Sequence, residues 1–207
     1  NIGELQNKGI EFTLNSNNLV GKFSWTTSIN LAANQNKVVS LANGQTIIDD
    51  GSSRYANVIK VGSPIGVFYG ADYAGADPDN GDALWYVNEM DDNGNIVNPD
   101  ATTNDYSEAN FVELGSPLPT LIGGLDNTFS FAGLTLNVRF QGQTGNKIHN
   151  AGGGFMSCNA CWFDNQTRDQ LDSWKNPGDV TDVPEARLGY SNGDQSRSSR
   201  YVSDGSY

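Results

Sequence analysis

Residues 121–141 read LIGGLDNTFSFAGLTLNVRFQ, and apolar side chains alternate with polar ones on both sides of the central Ala132-Gly133 pair. A period of two is typical of a β-strand that has one apolar and one polar face. A two-residue turn at Ala132-Gly133 would join the two halves as neighbouring antiparallel strands. We therefore predict a hairpin with strands over about residues 119–131 and 134–143.

The length of this turn fixes the register of the hairpin. With a two-residue turn, Phe131 faces Leu134 on the apolar side, and Asp126 faces Arg139 on the polar side. Because a shift of one residue would move every side chain to the opposite face, the register can be checked directly against a structure.

A second hairpin is predicted near the start of the chain. Ile10, Phe12 and Leu14 alternate with polar residues, and after a polar turn the alternation resumes at Phe23 and continues to Ala33. The predicted strands cover about residues 8–16 and 23–33.

The connections between the four strands alternate between short and long. Two tight turns contrast with long segments over about residues 34–117 and 144–200, and this asymmetry is typical of transmembrane β-barrels. The polar faces of the strands are rich in Ser, Thr and Asn, which suits a water-filled lumen. The fold class expected is all-β, with two wall hairpins of a large antiparallel barrel that four strands cannot close. Asp126 and Arg139 would form a pair facing the lumen.

The composition supports a turn-rich β protein and argues against a nucleic-acid partner. The 207 residues carry 12 Lys and Arg against 24 Asp and Glu, which gives a net charge of −12 and no basic excess to meet phosphates. Charged residues make up only 17% of the chain, and there are 24 glycines. The polarity therefore comes mostly from amides, hydroxyls and glycine, the residues of turns.

The only two cysteines, Cys158 and Cys161, form one Cys-x-x-Cys in a Gly- and Asn-rich segment. With His149 as the single histidine, they cannot complete a four-ligand zinc site within this chain. A local disulfide or two inert thiols is the favoured interpretation, and metal or redox chemistry is the alternative.

Aromatic residues in the long segments are candidates for contact with a ligand or a lid: Trp85, Tyr86, Trp162 and Trp174. Flat rings beside carboxylates and amides suit the capture of sugars or peptides. Aromatic rings also anchor long loops to one another, and this structural role is favoured for any single one of them.

Weak calcium candidates lie in two acidic runs, at Asp77 and Asp79 and at Asp91 and Asn93. Counted from Asp91, a calcium loop would need glycine at its sixth position and a bidentate acid at its twelfth, and neither is present. A solvated turn is favoured over a metal site, and we predict no cofactor.

Two other classes of protein are alternatives to a barrel wall, a β-sandwich binding module and an enzyme. A secreted β-sandwich that binds carbohydrate would share the alternation and the loop aromatics, but its strands should recur every 8–12 residues or so. An enzyme has little support, because there is one histidine and no nucleophile motif. The deciding observation is whether the apolar faces pack together or point outward.

Six ordered blocks resemble the C-terminal half of the barrel of SusC/RagA-type TonB-dependent outer-membrane transporters. They are NIGE with NKGIE (1–4, 7–11), VGSPIG with FYG (61–66, 68–70), GSP (115–117), GGLDNTF (123–129), FQG with GNKI (140–142, 145–148), and RY with DGSY (200–201, 204–207).

The resemblance implies a barrel of about 22 strands with a plugged lumen, in the bacterial outer membrane and in contact with its lipid. It implies import of a glycan or oligopeptide, a SusD-like surface lipoprotein over the loops, and TonB acting through a plug region that this sequence does not contain. Residues 1–207 are therefore expected to be one fragment of a barrel domain, without catalytic residues.

Overall fold

The structure, a computed structural model, describes residues 3–87, 91, 97–158 and 165–207. Its strands are β1 (Gly3–Leu19), β2 (Phe23–Leu41), β3 (Ile47–Ile48), β4 (Asn57–Lys60), β5 (Val67–Ala71), β6 (Tyr73–Ala76), β7 (Ala83–Tyr86), β8 (Thr102–Thr103), β9 (Phe111–Gly115), β10 (Leu121–Phe131), β11 (Leu134–Thr144), β12 (Lys147–His149) and β13 (Val202–Asp204). Within these described ranges, helical structure is limited to α1 (Gly153–Met156) and three short 3-10 turns, Ala42–Gly44, Arg168–Asp172 and Ser199–Tyr201.

The two predicted hairpins form one antiparallel sheet in the order β1-β2-β10-β11, which we call the wall. Phe131 lies opposite Leu134 and Asp126 opposite Arg139, so the predicted register is confirmed. Ala132 and Gly133 have φ values of 51° and 85°, and two positive values are the requirement of a primed two-residue turn.

The first two strands are longer than predicted, because β1 and β2 continue well past the apolar alternation. Residues 34–41 were predicted to begin a loop, yet they pair with the start of β1. Polar side chains support this part of the ladder: the side-chain nitrogen Nδ2 of Asn36 donates to the side-chain oxygen Oδ1 of Asn7 at 2.6 Å. Hydrophobic alternation marks where a strand is amphipathic, and it does not mark where backbone pairing stops.

One face of the wall is apolar and exposed. The exposed fraction is 50% for Phe12 and 61% for Phe140, while Trp25 and Leu125 are half-buried. These four side chains do not line a common enclosed core, as they would in a sandwich. The wall therefore has the outward apolar face of a barrel, and its other face carries the polar side chains of the same strands.

Both long connections leave the wall at the end opposite the tight turns. The first loop (residues 42–120) contains two small sheets, β3-β4-β5-β9 and β6-β7-β8, and in the second loop (residues 145–206) β12 pairs with β13. After β13 the chain returns to the wall, where Tyr207 and Gln143 exchange backbone hydrogen bonds of 2.9 and 3.1 Å at the free edge of β11.

The buried core lies in the loops and not in the wall. Trp85, only 1% exposed, packs with small buried residues, and the rings of Tyr73 and Tyr106 meet its indole edge to face at centroid distances of 5.1 and 5.0 Å. Aromatic contacts of this geometry add to the free energy of burial. The described parts of the loops therefore fold around a buried core of their own.

An ion pair between a buried arginine and a more exposed aspartate joins the two loops. Arg197 of the second loop is 5% exposed, and its guanidinium donates to both carboxylate oxygens of Asp49 in the first loop, at 2.7 and 3.1 Å. The hydrogen bond from Arg197 is the main reason why the pKa of Asp49 lies below its usual value. The same guanidinium lies 5.0 Å from the ring centroid of Phe111, and the Arg197 carbonyl oxygen accepts hydrogen bonds from the Ala71 amide and the Tyr106 hydroxyl, both at 3.0 Å.

Candidate functional site

The loops line an open cavity of about 780 Å³, which we call the loop cavity. Its volume lies within the range of sites that bind small molecules. Strands β6 and β7 of the first loop form one side, and the second loop forms the rest. The side chains that give it chemical character are Tyr73, Tyr86, Asp169, Asp182, Arg200 and Tyr201.

Arg200 is the cation of the loop cavity. It is half-buried, and its guanidinium carbon lies 5.4 Å from the ring centroid of Tyr73 and 5.5 Å from that of Tyr201. Nη1 donates to the carbonyl oxygen of Gly193 at 2.6 Å. Nη2 is shielded from solvent and has no hydrogen-bond acceptor in the described part of the chain.

The two tyrosines beside Arg200 are held through their hydroxyl groups. The Tyr73 hydroxyl donates to the carbonyl oxygen of Asp182 at 2.9 Å, and the Tyr201 hydroxyl donates to that of Gly193 at 3.0 Å. Burial raises the pKa of Tyr201 to about 12 and raises that of Tyr73 as well. Both rings are therefore neutral at physiological pH, and they offer the cation their faces.

Among the predicted ligand-contacting aromatics, Tyr86 lines the loop cavity and is half-buried. Trp85 and Trp174 are buried, with exposed fractions of only 1% and 7%, and contact of either with a ligand or a lid stays a prediction. The Trp174 indole nitrogen donates to the carbonyl oxygen of Pro78 at 3.0 Å and so ties the two loops together. Trp162 lies outside the described residues.

Sequence reasoning missed Tyr73, Arg200 and Tyr201 as members of one site. Tyr73 is more than 120 residues from the other two, and each lies in a short element without periodicity. The available signal was weak: an Arg-Tyr pair in a chain with only 12 basic residues.

The predicted pair of Asp126 and Arg139 is present on the polar face of the wall, where Arg139 Nε donates to Asp126 Oδ1. The Arg139 side chain is 74% exposed, so water screens the pair and its contribution to stability is small. That this face borders a lumen stays a prediction.

The remaining predicted residues lie in turns or outside the description. Cys158 is fully buried and disulfide-bonded, while Cys161 lies outside the described residues. The Asp77 carboxylate accepts the Asp79 amide at 2.8 Å in a local turn. Asp91 is exposed and Asn93 lies outside the described residues, so the preference for a solvated turn over a calcium site there stays a prediction. Within the described ranges, no three His, Cys, Asp or Glu side chains are grouped so that they could hold a metal ion.

The fold thus defines one class of protein, a membrane-barrel wall with elaborate loops at one end. In the described ranges, no helix is both long and apolar enough to cross a membrane.

No protein-family model matches the chain. Two curated relatives from Formosa agariphila, TonB-dependent receptors P3 and P26, are each 31% identical over 228 and 226 residues. The alignments cover 100% of this chain and 21% of each relative, so the chain spans about a fifth of their length.

Comparison with solved structures agrees with the comparison with curated sequences. The chain superimposes on the structure of the RagAB peptide transporter with a TM-score of 0.81 at 25% identity, and on the RagAB peptide importer in the closed-closed state with 0.80 at 26%. Each match covers 100% of this chain and 22% of the other. The chain belongs to the SusC/RagA-type TonB-dependent receptors and corresponds to part of the barrel. Its relatives are receptors and transporters rather than enzymes.

Proposed function

We propose that this chain forms part of an importer that carries a nutrient, a glycan or an oligopeptide, across the bacterial outer membrane with energy delivered through TonB. The observation that carries the proposal is the amphipathic wall, which exposes apolar side chains on one face and hydroxyls and amides on the other. An apolar outer face suits lipid, and a hydrated inner face suits passage of a polar solute.

The loops would form the extracellular side of the importer. They leave the wall at the end opposite the tight turns, which is the usual arrangement of outer-membrane barrels, with short turns on the periplasmic side. We propose that a SusD-like lipoprotein lies over this body, supported by the likeness to the two-component RagAB transporter. TonB would act through a plug region, as the name of the curated relatives suggests.

The loop cavity is our candidate for contact with the solute. It combines aromatic rings, carboxylates and a guanidinium in a space large enough for a short peptide or oligosaccharide. We assign no bond-making chemistry to it. Selection and passage of the solute would be its role.

Uptake in cells tests this proposal. The full-length protein would be produced in a strain that lacks it, with and without a functional TonB, and labelled pools of oligopeptides and oligosaccharides would be offered. We expect one pool to be taken up only when both proteins are present. Uptake that is unchanged when TonB is removed would contradict the proposal.

A further inference from the structure

Arg200 shares with Arg54, Arg168 and Lys175 of the loops the lack of an ion pair with any described residue, but of these four cations only Arg200 is half-buried and lines the loop cavity. Lys60, Arg187 and Arg197 each form an ion pair with a carboxylate at 2.7 Å. No carboxylate of the described residues lies within ion-pair distance of Arg200, although the chain has twice as many acidic as basic residues. An uncompensated cation on the wall of a cavity is a candidate for binding an anionic group.

The backbone conformation at Gly193 helps to position the Arg200 side chain. Gly193 has a φ of 81°, and a Cβ atom there would lie 2.9 Å from Nη1 of Arg200 and 3.0 Å from Ala83 and Pro184. Only a glycine lets this carbonyl approach the guanidinium so closely. The hydrogen bond of Nη1 and the rings of Tyr73 and Tyr201 therefore hold the guanidinium at the wall of the loop cavity.

The acidic residues of the loop cavity are placed differently from Arg200. Asp169 and Asp182 are exposed, so water screens their charges, whereas Arg200 lies half-buried between aromatic rings where its field is stronger. One negative group is therefore favoured beside Arg200 in the cavity. Additional negative groups near Asp169 and Asp182 are disfavoured.

We propose that Arg200 binds a carboxylate of the imported solute in the loop cavity, with a neutral or cationic part of the solute near Asp169 and Asp182. The inference rests on the proposed function of the protein. A planar guanidinium matches a carboxylate better than any other side chain does. The carboxylate has two possible sources, an acidic or C-terminal group of a peptide and a uronic acid of a glycan. Nη2 is covered in the free chain, so a small side-chain rotation accompanies binding.

Calorimetric binding to the purified full-length protein tests this inference with two matched pairs of probes. Trialanine is compared with trialanine amide, and galacturonate with galactose, so that the members of each pair differ by one carboxylate. We expect the member that carries the carboxylate to bind about 10- to 100-fold more tightly in one pair, because a charge-assisted hydrogen bond is worth about 1.5–3 kcal/mol. The pair that shows the difference identifies the source of the carboxylate.

Variants assign the preference to Arg200. Arg200→Gln should abolish the discrimination, and Arg200→Lys, which keeps the charge without the planar fork, should retain part of it. Arg168→Gln is the matched control, because Arg168 is exposed and next to Asp169 and its replacement changes the net charge equally. If Arg200→Gln does not fold, as judged by its thermal unfolding without ligand, the lysine variant and the wild-type comparison carry the test.

Equal binding of the members with and without the carboxylate in both pairs, or no binding by any of the four, would overturn the inference. So would a carboxylate preference that survives in Arg200→Gln. The cellular uptake test is independent of these results. TonB-dependent uptake with unchanged discrimination in the variant refutes only the role of Arg200, while absent uptake refutes the proposed function.

Discussion

Arginine substitutions at two neighbouring positions of β11 separate the two faces of the wall. Phe140 and Gln141 are consecutive, so their side chains point to opposite sides of the sheet. Phe140 is 61% exposed on the apolar face, and Gln141 is exposed on the face that carries Arg139. The Phe140→Arg variant places a charge on the proposed lipid side, and Gln141→Arg places the same charge on the proposed lumen side.

The structure gives the depth of each substitution. From the row of Phe131 and Leu134 to that of Leu121 and Thr144 the chain advances ten residues, which is about 34 Å along a strand. With a strand tilt of about 40°, the hairpin of β10 and β11 spans about 26 Å along the barrel axis, close to the apolar band of about 25 Å in such barrels. Phe140 lies six residues from the turn end of this span and thus near its middle.

At that depth an arginine on the lipid side costs about 2–4 kcal/mol, whereas a substitution on the hydrated side costs at most about 0.5 kcal/mol. The assay is urea unfolding of the full-length protein in lipid vesicles, followed by the gel mobility of the folded form. We expect a clear loss of stability for Phe140→Arg and little change for Gln141→Arg. Equal stability of the two variants would refute the assignment of faces, and a larger loss for Gln141→Arg would reverse it.

Two further predictions concern the loops. Gly81 and Gly178 both have positive φ, but a Cβ at Gly81 would lie 2.6 Å from the Trp174 ring, whereas nothing lies within 4 Å at Gly178. We expect Gly178→Ala to cost about 1 kcal/mol from backbone strain alone and Gly81→Ala about 1–3 kcal/mol more, measured by thermal unfolding; equal costs would contradict the packing of Trp174. Burial raises the pKa of Tyr106 and Tyr201 to about 12, so above pH 10 the folded chain keeps protons that the unfolded chain loses. The free energy of unfolding should therefore hold below pH 10 and fall as the pH rises to 12, and it should fall less in Tyr201→Phe. Tyrosinate absorbance that appears at a lower pH in the folded than in the unfolded protein would contradict this.

The hairpin of β10 and β11 could be predicted in full because its signals are local. Ala132-Gly133 sets the turn, and alternation sets the faces, so the contact between Asp126 and Arg139 follows from counting. The extension of β2 to Leu41 could not be found in this way, because residues 34–37, Asn-Gln-Asn-Lys, are polar on both faces and interrupt the alternation.

The loop body was beyond sequence reasoning for a different reason. Strands such as β3 and β8 contain two residues each, and they are stable only because partners from distant parts of the chain complete their sheets. Asp49 and Arg197 are separated by 148 positions, and neither has a sequence neighbour that marks it as paired. Trp85 was identified as an important aromatic, but only its surroundings reveal that it serves the core.

The ion pair of Asp49 and Arg197 has a consequence for how such receptors can diversify. A chimaera that takes only one loop from a relative would leave either a carboxylate without its guanidinium or, more harmfully, a guanidinium buried beneath Phe111 with no counter-ion. Loop exchange should therefore succeed only when both loops come from the same donor. New solute preferences would then be acquired by recombination of whole loop pairs, or by point changes at the loop cavity that leave this pair intact.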